Sequence, residues 1–224
     1  MGTGAPGFGH AVPMSAQARA ARLLPVNRYH VRERHMTTTA TATRNGVDTA
    51  TLFATLDAIK AQPEIAQFRF RAHNRWIDGA HNRSTIKDFY AACGEDTSRA
   101  EPFTLDAGEP AILIGTDTGP NPAEYLLHAL AACVTTSLVF SAAARGVRLT
   151  SVESTLEGDM DVQGAMGLSD EFRNGFERIR MSIRIAGDAP EETLRKVVQR
   201  GTDRSVVFDS ITNGVPVTVD VVTS

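Results

Sequence analysis

The chain has 224 residues, 42% of them hydrophobic and 22% charged, enough to bury a sizeable core in one main domain with an appendage. Its formal net charge of -3 supplies no basic field for a phosphate backbone, which argues against a nucleic-acid partner. Two cysteines, Cys93 and Cys133, cannot build a disulfide framework and lack the Cys or His neighbours of a zinc site, so a reducing cytoplasm is expected, with no metal and no cofactor.

In chain order, the stretch from Met14 to His35 carries Arg19, Arg22, Arg28, Arg32 and Arg34 with Glu33 as its only acid. That composition is like a mitochondrial transit peptide. The simpler expectation is a disordered extension over residues 1–45, upstream of an alternative start at Met36, ahead of a domain over 46–224. From Asp48, a good N-cap, Leu52, Leu56 and Ile59 recur at helical spacing until Pro63, which predicts a peripheral helix over 48–61. Phe68, Phe70 and Ala72 alternate with Arg69, Arg71 and His73, a strand pattern, and Thr85 to Tyr90 reads as its hairpin partner across Asp78-Gly79. Phe103 and Leu105, then Ala111 to Ile114, add short strands.

Between Pro120 and Gly146 the spacing predicts a long helix, apolar on nearly all sides, at the centre of the core. Residues 125–144 hold no Asp, Glu, Lys or Arg and are long enough to span a membrane, but their Ala, Thr and Ser content and amphipathic flanks favour a buried core helix. No membrane partner is expected. Val152 and Leu156, then Ile179, Met181, Ile183 and Ile185, alternate with polar residues and predict two half-exposed strands joined by a glycine-rich loop over 162–175. Arg180 and Arg184 then belong to a solvated face. Asp188 and Glu191 stand at capping-box spacing before a helix that stops at Gly201, and Val215, Val217, Val219 and Val221 predict a closing strand. The fold class is α+β, with antiparallel sheets around the long helix.

Cys133 lies mid-helix, sharing a face with Leu126, Ala129, Leu130, Thr136, Ser137 and Phe140. On spacing alone a free cysteine there is more often a small buried hydrophobe than a nucleophile. Asp159, Asp161, Gln163, Gly164 and Asp170 fall at calcium-loop offsets, but no helices flank them and the last ligand is Asp, so a turn is the better reading. His128, about 140° around the helix from Cys133, reads as a packed or interfacial residue rather than a general base.

The run Asn121-Pro122-Ala123-Glu124-Tyr125-Leu126-Leu127, followed by Ala129-Leu130-Ala131-Ala132-Cys133, resembles the signature of the OsmC/Ohr family of small thiol-dependent redox proteins. Ser205-Val206-Val207-Phe208-Asp209-Ser210-Ile211 and Gly214-Val215-Pro216-Val217 are similar to the segment holding that family's second cysteine. Arg75-Trp76-Ile77-Asp78-Gly79 with Arg83 is similar to its first strand and turn. The resemblance covers residues 66–222. It implies an OsmC-like fold in an intertwined homodimer, with sites at the dimer interface where a cysteine pair reduces small apolar hydroperoxides. Cys133 matches the peroxidatic position, and Arg83 the arginine that holds the thiolate ionised.

Three departures bear on that activity. Ser205 stands at the second-cysteine position, and a hydroxyl cannot resolve a sulfenic acid to a disulfide, so an external thiol reductant becomes the expected partner. The family's acidic residue, ten places before the active cysteine, falls on Ala123. Glu124, nine residues from Cys133, is turned about 180° away and reads as a carboxylate favoured by the helix start. Cys93 lies outside the motifs and is expected to be an incidental loop thiol, the alternative being that it resolves Cys133. The alternative reading is a non-catalytic protein that binds a small apolar ligand at the dimer interface.

Overall fold

The computed structural model describes residues 43–223, so the expected extension over residues 1–45 lies outside the described residues apart from its last three. Those three open a hairpin of β1 (Thr43–Arg44) and β2 (Val47–Asp48). Its turn is Asn45-Gly46, both at positive φ (53° and 78°), the residue pair a two-residue turn of this hand favours. The Asn45 amide ties the hairpin to the rest of the chain: Nδ2 donates to Val147 O and Oδ1 accepts from Leu149 N, each at 2.9 Å. Asp48 then accepts from the Ala50 and Thr51 N–H groups and caps α1 (Thr49–Ala61), none of whose residues is buried, as a peripheral helix requires.

Next come β3 (His73–Asp78), β4 (His81–Ile86), β5 (Phe89–Ala91), β6 (Gly94–Asp96) and β7 (Phe103–Ala107). An antiparallel sheet has β4 between β3 and β7, while β5 and β6 pair separately. The expected strand over 68–73 is corrected, because the ladder begins only at His73 and a lone bridge joins Arg69 to Tyr90. Phe70 there packs on Phe68 and Phe89, with ring centroids 5.8 and 5.5 Å apart. Aromatic contacts, the Arg69–Tyr90 bridge and the Arg71–Glu95 ion pair, rather than a continuous ladder, hold that run. The expected partner over Thr85 to Tyr90 is likewise divided between β4 and β5. Residues 111–114 are not a strand either. Ala111–Leu113 forms a single 3-10 turn after Pro110, with Ile112 and Ile114 exposed.

The long helix α2 (Pro122–Ala144) starts with a capping box in which Asn121 and Glu124 each accept the other's backbone N–H at 2.8 Å. Leu130, Val134, Leu138 and Ala142 recur every fourth residue and form its buried stripe. The chain continues through β8 (Leu149–Asp159), a turn of helix α3 (Val162–Ala165), β9 (Arg178–Gly187), α4 (Glu191–Asp203) and α5 (Val206–Asn213). In the β8–β9 ladder Val152 faces Ile185 and Leu156 faces Met181, so both apolar rows pack toward the α2 core. The opposite face carries the Arg184–Glu153 and Arg180–Glu157 pairs, each at 3.3 Å, the solvated face expected of those arginines.

Three further expectations are corrected. Asp188 does not cap the next helix: its Oδ1 accepts from Arg148 N at 2.7 Å and closes the end of the β8–β9 hairpin, leaving Pro190 as N-cap of α4. That helix does not stop at Gly201 but runs to Asp203, because the glycine is where α4 meets α2. A β-carbon on Gly201 would stand 2.5 Å from Leu138 Cβ. Residues 214–223 join no sheet, and Val217, Val219 and Val221 are largely exposed, at 79, 81 and 81%. The alternation is present; a strand beside it is not. Likewise α2, apolar around its circumference, is covered along one side only, with Leu126 and Phe140 left exposed. Its 23 residues are long and apolar enough to cross a membrane by length and composition, yet α4, α5 and β8 pack against it here.

Candidate functional site

Cys133 is half-buried on α2 beside the Leu130–Val134 stripe and forms no disulfide. One turn further, about 40° around the helix, Ser137 approaches the backbone carbonyl of Arg204, with Oγ 3.5 Å from it. The next residue is Ser205, 1% exposed. Its hydroxyl accepts the Phe208 N–H at 3.2 Å and caps α5. Packing therefore brings the start of α5 to the same flank of α2 as Cys133. The two positions, 72 residues apart in sequence, share a neighbourhood, and Ser205 has a structural task in it.

Arg83 lies elsewhere. Its Nε and Nη2 hold the Asp106 carboxylate across the β4–β7 ladder at 2.8 and 3.2 Å, and His81 Nε2 meets the same carboxylate at 2.7 Å. The Arg83 guanidinium, and then His81, hold the Asp106 carboxyl below the usual carboxylate range, and the Arg83 guanidinium is raised in return. The Tyr125 hydroxyl donates to Asp106 O at 2.7 Å and links this sheet to the first turns of α2. No hydrogen bond joins Arg83 to Cys133 among the described residues. The partnership of Asp106 and His81 depends on strand register, which sequence does not display, although the His-x-Arg alternation in β4 places both side chains on one face.

Glu124 serves the helix start, as expected. His128 is exposed on α2. Cys93 is exposed in the tight turn between β5 and β6, with Ala92 and Cys93 both at positive φ, and is not joined to Cys133. Asp161 caps α3 by accepting from Gln163 N at 2.8 Å, and no cluster of metal-ligating side chains occurs among the described residues.

These features define a class: an α+β protein carrying a single half-buried thiol on its core helix, with a buried hydroxyl at the start of the last helix packed against the same flank. Residues 115–220 match the model of the OsmC-like protein family, which makes this part of the chain an OsmC-like domain. Among solved structures, the chain is similar to an OsmC-like protein from Mycoplasma pneumoniae, at 15% identity over 64% of this chain and 86% of that one, TM-score 0.49. It is also similar to an organic hydroperoxide resistance protein OsmC from Legionella pneumophila, at 17% identity over 65% and 90%, TM-score 0.46. An OsmC-like protein of unknown function from Vibrio cholerae shares 10% identity over 64% and 94%, TM-score 0.46. No curated protein sequence matches the chain.

Proposed function

We propose that the protein is a cytoplasmic, homodimeric thiol-dependent redox protein that reduces small apolar organic hydroperoxides through Cys133. The observation that carries this reading is the placement of one half-buried thiol on the core helix beside the α5 start, in a chain that matches the OsmC-like family. The Cys133 thiolate attacks the O–O bond, and with one proton gives the alcohol and a Cys133 sulfenic acid. With Ser205 at the second position, an external thiol condenses with the sulfenic acid, releasing water. A second external thiol then displaces the mixed disulfide and restores Cys133. Arg83 is held by Asp106, and in this scheme it is the Arg83 of a second copy that stabilises the thiolate. No metal, cofactor, nucleic acid or membrane enters the scheme.

The test is turnover of cumene hydroperoxide with a dithiol, comparing the parent with Cys133→Ser. Loss of turnover in the variant, with a single added oxygen on the parent after one equivalent of peroxide without thiol, is expected. Equal turnover in both would sink the proposal. The second reading, a non-catalytic protein binding a small apolar ligand at the dimer interface, is favoured by Ser205 and its capping bond. It predicts no turnover in either protein.

A further inference from the structure

The β8–β9 sheet and the helices over it form a wedge. At one end Leu138, Ala142, Val147 and Val197 close the layers together. At the other, Leu126 and Leu130 stand across from Ile179 and Met181 with a cavity of about 770 Å³ between them, which Phe208 and Ile211 of α5 wall off on a further side. That volume lies within the ~300–1,000 Å³ range of small-molecule sites. Cys133 does not line it.

Two hydroxyls of the wall are taken up within their own helices. Thr202 and Thr212 line it, but their hydroxyls donate back to Val198 O and Phe208 O of their own helices at 3.1 and 2.8 Å, which leaves the methyl groups as the remaining surface. Phe176 completes the rim. Its ring lies over Gly158, where a β-carbon would come within 2.3 Å of a ring atom. The charged lining residues, Arg173, Glu177 and Arg178, are all exposed. Arg178 lies near Asp159, whereas the Arg173 guanidinium has no ion-pair partner among the described residues.

We propose that this cavity binds a long-chain carboxylate, the chain among Leu126, Leu130, Met181 and Ile211 and the carboxylate at Arg173. An apolar chamber with an uncommitted guanidinium at its entrance matches an amphiphile with one anionic end. Burial of methylenes supplies the affinity. Cys133 is not among the lining residues, although Leu126 and Leu130 share its face of α2, and the binding does not depend on redox activity.

Titration calorimetry of the full chain with oleate and with oleyl alcohol tests it, with Cys133→Ser, Ile211→Trp and Arg173→Glu as variants. One oleate per chain is expected for the parent, and the same affinity for Cys133→Ser even where that variant has lost peroxide turnover. Ile211→Trp fills the chamber and weakens both ligands by roughly tenfold or more. Arg173→Glu weakens oleate several-fold and leaves the alcohol unchanged. Absence of saturable oleate binding to the parent, as when side chains of a second copy fill the chamber, overturns the proposal. So does a folded Ile211→Trp protein that binds like the parent. Should Ile211→Trp fail to fold, Arg173→Glu decides, and oleate binding that ignores the charge reversal also overturns it.

Discussion

Ser205 stands where a resolving thiol would be needed, and its hydroxyl is already committed to the first turn of α5. Ser205→Ala is expected to lower stability by about 1 kcal/mol, the usual value of an N-cap, read from urea midpoints, with peroxide chemistry at Cys133 unchanged. Ser205→Cys loses the same cap but is expected to form a disulfide with Cys133 on oxidation, since such a bond needs Cα atoms within about 7 Å. Mass spectrometry after one equivalent of hydroperoxide would show loss of two hydrogens rather than gain of an oxygen; gain of oxygen in this variant would place the residues too far apart. Asp106 tests the other cluster. Its folded pKa is depressed by Arg83 and then His81, so its stabilising contribution is present above the ordinary carboxylate value of about 4 and is lost as pH falls through the folded value. Asp106→Asn should therefore lower stability near neutral pH and flatten the acid limb of the pH–stability curve; an unaltered acid limb would mean the pair contributes nothing.

Among elements, α4 shows how packing overrides a local stop signal. Gly201 reads as a helix terminator, yet it lies inside the last turn of α4 because Leu138 of α2 occupies the space where its side chain would project. Gly201→Ala should raise intrinsic helix propensity and still destabilise by about 1–3 kcal/mol through overpacking. Thermal unfolding distinguishes the two effects by sign, and a rise in Tm would show that α4 shifts freely on α2. At the start of the same helix Asp188 is drawn away from capping by the Arg148 N–H. A long-range bond wins over a local pattern there, because the ends of β8 and β9 must be tied where the chain leaves the sheet.

For the whole molecule, exposed apolar surface is the dominant feature. Trp76, Ile112, Ile114 and the valines from 215 to 222 are more than half exposed, and one side of α2 is open at Phe140; single exposed hydrophobics are ordinary, whereas this many suggest an interface. The proposed homodimer would cover them and give the alternating valines a sheet to join. Light scattering should report twice the chain mass of 24.1 kDa, and deletion of residues 215–224 should reduce it toward one chain or cause aggregation. A stable folded monomer of the intact chain at micromolar concentration would count against the dimer.

What the sequence determined by itself was whatever depends on neighbours along the chain. Asp48 as a cap, the span of α2, the matched apolar rows of β8 and β9 and the thiol of Cys133 on a helix all follow from spacing and local hydrogen-bonding capacity. The Asn45-Gly46 pair likewise carries its hairpin turn in its own residue types. Tertiary structure alone decided the rest: that the α5 start lies on the Cys133 flank of α2, that Arg83 meets Asp106 and His81, that Asp188 serves β8, and that the C-terminal valines find no strand beside them. Each of these turns on contacts between residues far apart in sequence, set by strand register and helix packing, about which one-dimensional periodicity carries no information.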